Sequence, residues 1–159
     1  MKAIVFPQTG RTVQINTNDN LLQALLSEQV PVKMACGGRG LCATCHVFVE
    51  RGKDGLTPLT KKEKRTLNVI GDATCDSRLA CQAKVLRDGV VVKLPQGLYI
   101  ERSGDLETLI GRRTDDPVLH PLDGRILVQP KKIITRSVVT KLKGVEGEVQ
   151  SLLASSREV

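Results

Sequence analysis

Aromatic side chains are nearly absent from this 159-residue chain, which has two Phe, one Tyr and no Trp. Any core must therefore be aliphatic, and the 40% of residues that are apolar are enough to build one from Val, Leu, Ile and Ala. So few rings leave little to stack on bases, and nucleic acid is not an expected partner despite a net charge of +7. No apolar run approaches the roughly 18 residues needed to span a bilayer. The opening segment Met1-Lys2-Ala3-Ile4-Val5-Phe6-Pro7 has neither the long apolar stretch nor the cleavage site of a signal peptide, and reads as a strand. These absences lead us to expect a soluble, cytoplasmic protein. Dinucleotide-binding glycine fingerprints, phosphate loops and an evident pair of active-site carboxylates are also missing, so nothing marks an enzyme.

What the chain does have is cysteine in short spacings and an uneven distribution of charge. Residues 1–95 carry 14 Lys/Arg against 8 Asp/Glu, whereas residues 96–159 carry 10 against 9. The basic character thus belongs to the half that holds all five cysteines. Without an export signal, five cysteines favour metal or redox chemistry over disulfides.

Lys2–Phe6 and Arg11–Ile15 are β-rich runs joined by the turn residues Pro7-Gln8-Thr9-Gly10, which predicts a hairpin. Asn20 is placed to cap a helix over Leu21–Gln29, whose apolar face would hold Leu21, Leu22, Leu25 and Leu26, with Pro31 preventing its resumption. A glycine-rich segment, Cys36–Cys45, leads into a strand at His46–Glu50. Thr60-Lys61-Lys62-Glu63 has the form of a capping box and opens a second helix towards Ile70. Leu79–Leu86 and Val90–Leu94 read as strands around the turn Arg87-Asp88-Gly89. Pro95-Gln96-Gly97 suggests a boundary, giving a first domain over residues 1–97 and an extension over 98–159 for docking, dimerisation or packing. Within the extension we expect a short helix at Gly104–Ile110 ended by Gly111, strands at Arg125–Val128 and Ile133–Thr135, and a terminal helix. Val138, Leu142, Val145, Val149 and Leu152 follow steps of 4, 3, 4 and 3, which is heptad spacing, interrupted by Gly144 and Gly147.

The chemistry lies in Cys36, Cys42 and Cys45, spaced C-x5-C-x2-C, with Cys81 a further 36 positions on. Iron–sulfur clusters need four thiolates converging on one small body, and three from a loop with a fourth from a distant strand meet that need. Gly37, Gly38 and Gly40 can adopt positive φ and bring backbone N–H groups to the sulfurs. Structural zinc is the rival, but such sites usually pair two C-x2-4-C knuckles, which this spacing fits less well. Cys42-Ala43-Thr44-Cys45 lacks the βαβ context of a thioredoxin site, and His46 and His120 do not form the pairing of a Rieske centre. Cys75, 30 positions after Cys45, is the other available fourth thiol.

Cys36–Val47 together with Ser77-Arg78-Leu79-Ala80-Cys81-Gln82 resembles the 2Fe–2S ferredoxins of the adrenodoxin and iron–sulfur-assembly type, over about Lys2 to Pro95. Plant-type ferredoxins have one residue fewer between their first two ligands. The resemblance implies an α+β, β-grasp fold with the cluster near the surface, and it favours Cys81 over Cys75, so that Cys36, Cys42, Cys45 and Cys81 bind the 2Fe–2S cluster. Cys75 is then expected to be a free, partly buried thiol, His46 to bond nearby backbone, and Arg39 to be a solvated charge near the cluster. The extension has no such counterpart, and is expected to hold mixed short strands and the terminal helix. The implied function is one-electron transfer between a reductase and an acceptor. A structural or redox-sensing cluster protein and a dissociable subunit of a larger enzyme are the alternatives. The family usually docks its reductase with an acidic helix, whereas the matching residues here are Lys61-Lys62-Glu63-Lys64-Arg65. An acidic docking face is therefore expected on the partner. Homodimerisation through the terminal stripe is a further expectation, ranked behind packing of that stripe on the cysteine-bearing domain.

Overall fold

The structure, a computed structural model, describes residues 1–30, 32–99 and 107–157. Pro31 and the Gly104–Leu106 part of the short helix expected at residues 104–110 lie outside the described residues. Strands β1 (Lys2–Phe6) and β2 (Arg11–Ile15) form the expected antiparallel hairpin, with Lys2 opposite Ile15 and Phe6 opposite Arg11. Alternation decides which way they face. Ile4, Phe6, Val13 and Ile15 point into the core, and Arg11, Thr12 and Gln14 into solvent.

Helix α1 (Leu21–Ser27) starts at Asn20, whose side chain accepts from the Gln23 N–H at 3.0 Å. Its core face is Leu21, Leu22, Ala24 and Leu25. Leu26 turns outward, 40% exposed, which corrects the expected stripe: a step from 25 to 26 rotates past the edge of the buried face. Strand β3 (His46–Arg51), helix α2 (Lys61–Val69), and strands β4 (Ser77–Leu79) and β5 (Val90–Lys93) complete a five-stranded sheet in the order β2-β1-β5-β3-β4. β1 runs parallel to β5, and β3 is antiparallel to both β5 and β4. Sheet and α1 enclose one aliphatic core, and the architecture is the expected α+β, β-grasp arrangement. Each wholly buried Leu, Ile or Val in it contributes about 1.5–3 kcal/mol.

The strand expected over Leu79–Leu86 is not formed. β4 ends at Leu79 and the chain coils, with the Gln82 and Ala83 N–H groups both bonding back to the Leu79 carbonyl. Only single bridges, Asn20 to Lys84 and Leu56 to Val85, follow. The coil brings Cys81 back towards the loop, which a straight strand would carry it past.

A second, three-stranded sheet follows: β6 (Leu98–Tyr99), β7 (Val118–Leu119) and β8 (Ile126–Val128), in that order. Gly97 has φ 142°, and a Cβ there would meet Leu119 Cδ1 at 2.5 Å, so the crossing into the extension requires glycine. The strand expected at Ile133–Thr135 reduces to one bridge between Arg113 and Ile133, beside the wholly buried Ile134. Helix α3 (Arg136–Arg157) then runs for 22 residues, with Gly144 and Gly147 on its exposed side, where they do not interrupt packing. Its buried face is Val139, Leu142, Val145 and Val149, while Val138 and Leu152 are half-buried at its edges. Val139, Leu142 and Val145 pack on Val118, Val128 and Ile134 of the extension itself, and not on the first core as expected. Among the described residues no helix is long and apolar enough to cross a membrane.

Candidate metal centre

The segment between α1 and β3 forms a loop that Gly37, Gly38 and Gly40 bend through positive φ values of 67°, 80° and 72°. Cys36, Cys42 and Cys45 lie on it, Cys81 follows β4, and all four are buried and free of disulfides. They meet in twos. The Sγ atoms of Cys45 and Cys81 are 3.4 Å apart. Cys36 and Cys42 share a side-chain hydrogen bond. Two thiolates held at about 2.3 Å by one tetrahedral metal lie roughly 3.8 Å apart, so the Cys45–Cys81 pair is close to the spacing of a shared ion. Among the described residues no group of three or more His, Cys, Asp or Glu side chains converges on a single ion position. Sulfurs that meet in twos suit a binuclear sulfur-ligated centre, with two thiolates for each metal.

In each pair one thiol gives up its proton readily and the other resists. The hydrogen bond from Cys42, aided by the Leu41, Arg39 and Cys42 N–H groups, holds Cys36 down to about 5 against the cost of burial. Cys81 falls to about 7, chiefly through the hydrogen bond from Cys45, with Gln82 and the Gly40 N–H assisting. Their partners Cys42 and Cys45 are pushed up, chiefly because each keeps its proton to hydrogen-bond Cys36 and Cys81 respectively, with burial and the neighbouring negative charge adding to that. A bound metal displaces those remaining protons.

The loop is clamped from several sides. Thr44 Oγ1 is 3.0 Å from Cys42 Sγ and accepts from the Ala35 N–H at 3.2 Å. Gln82 Nε2 donates to the Gly38 carbonyl at 3.3 Å and lies 3.5 Å from Cys81 Sγ. Thr66 of α2 donates to the Gly40 carbonyl at 2.5 Å. Gly40 has φ 72°, which disfavours any side chain, and a Cβ there would push on Gln82 Cδ at 2.9 Å. Of these residues Gly40 stood out in the sequence for its conformational freedom; Thr44 and Gln82 lay within the cysteine motifs without an expected role, and nothing marked Thr66.

Behind the loop lies a buried polar group. Glu63 is wholly buried; it accepts from Arg78 Nε at 2.7 Å and Nη2 at 3.1 Å and from the Leu79 N–H at 2.9 Å. The capping box is therefore half formed: Thr60 Oγ1 accepts from the Glu63 N–H at 3.1 Å, but the Glu63 carboxylate goes to β4. His46 Nε2 is 2.8 Å from Ser77 Oγ, so its partner is a side chain on β4 and not the expected backbone. Burial holds the His46 pKa below its usual value, with Asp72 opposing. His46 Nδ1 and Tyr99 Oη are buried without a hydrogen-bond partner among the described residues, and Nδ1 is 3.9 Å from Asp72 Oδ1. Cys75 is exposed, contrary to the partly buried thiol expected; its neighbour Asp76 reaches out to pair with Lys53, which keeps this loop at the surface. Arg39 is half-buried.

The extension touches the same loop, which nothing in the sequence foretold. The Pro121 carbonyl accepts from the Ala43 N–H at 2.8 Å, between Cys42 and Cys45. The Asp123 carbonyl accepts from the Gly71 N–H at 3.2 Å. A Cβ on Gly124 would be within 3.4–3.6 Å of Asp72, Ile70 and the Tyr99 hydroxyl. His120, beside Pro121, accepts from the Leu122 N–H at Nδ1, and its Nε2 donates to Glu148 of α3 at 3.0 Å.

Residues 5–86 match the family profile of the 2Fe-2S iron-sulfur cluster binding domain. A 2Fe-2S ferredoxin of Haemophilus influenzae is 36% identical over 91 residues, which are 57% of this chain and 80% of that protein. The crystal structure of an ISC-like [2Fe-2S] ferredoxin from Pseudomonas putida superposes with a TM-score of 0.56 at 28% identity, over 60% of this chain and 93% of the other. Putidaredoxin in a covalent complex with putidaredoxin reductase superposes with a TM-score of 0.51 at 29% identity, over 59% of this chain and 98% of the other.

Proposed function

Because this chain belongs to the 2Fe-2S iron-sulfur cluster binding family and is a ferredoxin-type electron carrier, not an enzyme, we propose that Cys36, Cys42, Cys45 and Cys81 are the ligands of its cluster. Cys36 and Cys42 would hold one iron, and Cys45 and Cys81 the other. The observation that carries this reading is the meeting of buried sulfurs in two pairs, one of them joining Cys45 to Cys81 at 3.4 Å. When bound, the cluster supplies one reversible electron at low potential.

The residues around it do the rest. N–H groups of Arg39, Leu41 and Cys42 stabilise negative charge on Cys36, and Gly40 and Gln82 do so on Cys81. Such donors ease the gain of an electron and raise the potential. The buried loop keeps water from the sulfurs, and the clamps at Gly38 and Gly40 hold the ligands still through the redox change.

The chain would pass single electrons between a reductase and an acceptor, each presenting an acidic face. Lys61, Lys62, Lys64 and Arg65 are exposed on α2, and among the described residues none is in an ion pair. A basic partner there would bring like charges together at a cost of several kcal/mol. A neighbouring fold solved in complex with its reductase supports protein partners for this one. We take residues 1–97 as the cluster-bearing part and 98–159 as the extension, a division supported by their separate aliphatic clusters. Packing of the α3 stripe within the extension favours a monomer over a homodimer formed through it. The test of the ligand set is a pair of variants: Cys81→Ser should abolish the visible absorption of the cluster, and Cys75→Ser should leave it intact. The same loss from both would refute the assignment.

A further inference from the structure

The metal-centre loop has two flanks of different character. Its Cys42–His46 side is buried throughout, and Ala43 has no exposed surface. The extension lies against that side through Pro121 on the Ala43 N–H, and beside it through Asp123 on the Gly71 N–H and Gly124 against Ile70 and Asp72. This segment is itself anchored, since His120 is buried and bonded to Glu148 of α3, and α3 is packed on β7 and β8. The other side is open: Gly37 is exposed, Gly38, Arg39 and Leu41 are half-buried, and Met34 is 43% exposed. Thr66 of α2, the helix that carries Lys61, Lys62, Lys64 and Arg65 on its exposed face, donates to the buried Gly40 carbonyl within this stretch of the loop.

We propose that the extension is a resident occupant of the Cys42–His46 flank, so that redox partners reach the centre only across Met34 and Gly37–Leu41, where the cations of α2 select an acidic protein. The proposal rests on the electron-carrier reading above. Charge and cover agree in favouring it. Residues 96–159 carry 10 Lys/Arg against 9 Asp/Glu, so the extension adds almost no net charge, while the excess of positive charge lies in residues 1–95. Diffusing anionic surfaces are steered towards the side where one sign of charge is concentrated. A carbonyl of the chain already takes the Ala43 N–H, so a partner on the closed flank would have to displace Pro121 before approaching.

The test uses the full-length, reduced, cluster-loaded protein and hexacyanoferrate(III), an anion that takes one electron from it to become hexacyanoferrate(II). Oxidation is followed by stopped flow against ionic strength for the wild type, Lys64→Glu and Arg125→Glu. The two variants change the net charge equally, one beside the open flank and one on the extension, where Arg125 is exposed and 3.7 Å from Asp123. At low salt Lys64→Glu should be slowed several-fold more than Arg125→Glu. In 1 M salt, where the screening length is about 3 Å, the three should converge. Equal slowing at low salt, or greater slowing by Arg125→Glu, overturns the assignment of the flank. A wild type that does not cycle reversibly refutes the electron-carrier reading instead. Hydrogen exchange of the wild-type Cys42–His46 segment checks the cover. It should be as slow as in β3, and exchange at the rate of an open loop would show that the extension does not occupy that flank.

Discussion

The Sγ atoms of Cys45 and Cys81 lie 3.4 Å apart, although 36 residues separate them in the chain. Antiparallel pairing of β3 and β4 creates this meeting. His46 stands opposite Leu79, and the Ala80 N–H donates to the Cys45 carbonyl at 3.0 Å, so the two strands deliver their cysteines from one shared end. The register is held in turn by Glu63, which binds Arg78 and the Leu79 N–H from α2.

That dependence is open to measurement. Arg78→Met should leave the Glu63 carboxylate buried without its cation, a loss of about 3–5 kcal/mol. The midpoint of anaerobic denaturation, followed by cluster absorbance, should fall accordingly. Arg65→Met, on the exposed face of the same helix, should shift it by less than about 0.5 kcal/mol. Equal shifts would mean that the buried pair does not secure the strand.

Much of the cysteine-bearing domain was legible because its signals are local. Hairpin turn chemistry, the Asn20 and Thr60 caps, and alternation in β1 and β2 each fix an element without reference to the rest of the chain. The C-x5-C-x2-C spacing likewise marked the loop on which three buried cysteines lie. The coil after Leu79 was not legible, because Leu79–Leu86 has a strand's composition and only the need to return Cys81 to the loop overrides it. The partner of Glu63 was hidden for a similar reason, since a capping-box glutamate looks the same whether it turns back on its helix or reaches β4. Nothing in Pro121, Asp123 or Gly124 signals contact with Ala43 and Gly71, because backbone carbonyls bond without regard to side-chain identity.

The single tyrosine gives a clean report on that contact. Burial raises the Tyr99 pKa, and the Asp72 carboxylate raises it further. Phenolate absorbance should therefore appear well above pH 10 in the folded protein and near about 10 after unfolding. The folded state then binds more protons than the unfolded one above pH 10. Its stability should fall as pH rises through that range, and this contribution should be fully present below it. Phenolate formation near 10 in the folded protein would show that the hydroxyl is in water.

Terminal-helix packing is tested by Leu142→Ala. Leu142 is buried against the extension's own sheet, and truncation should cost about 2–5 kcal/mol locally. Limited proteolysis should cut residues 136–157 faster, while the mass in solution stays that of one chain. A wild type whose mass is that of a dimer, dissociated by this change, would place the stripe between two copies.

Gln82→Leu removes a donor lying 3.5 Å from Cys81 Sγ and 3.3 Å from the Gly38 carbonyl. With less stabilisation of negative charge, the midpoint potential should become more negative, while the visible spectrum keeps its form. An unchanged potential would reduce Gln82 to a clamp on the loop.

Metal and sulfide content of the anaerobically purified full-length protein tests the central claim most directly. Four thiolates arranged as Cys36 with Cys42 and Cys45 with Cys81 predict about two irons and two acid-labile sulfides per chain. One zinc per chain with no sulfide would contradict the account.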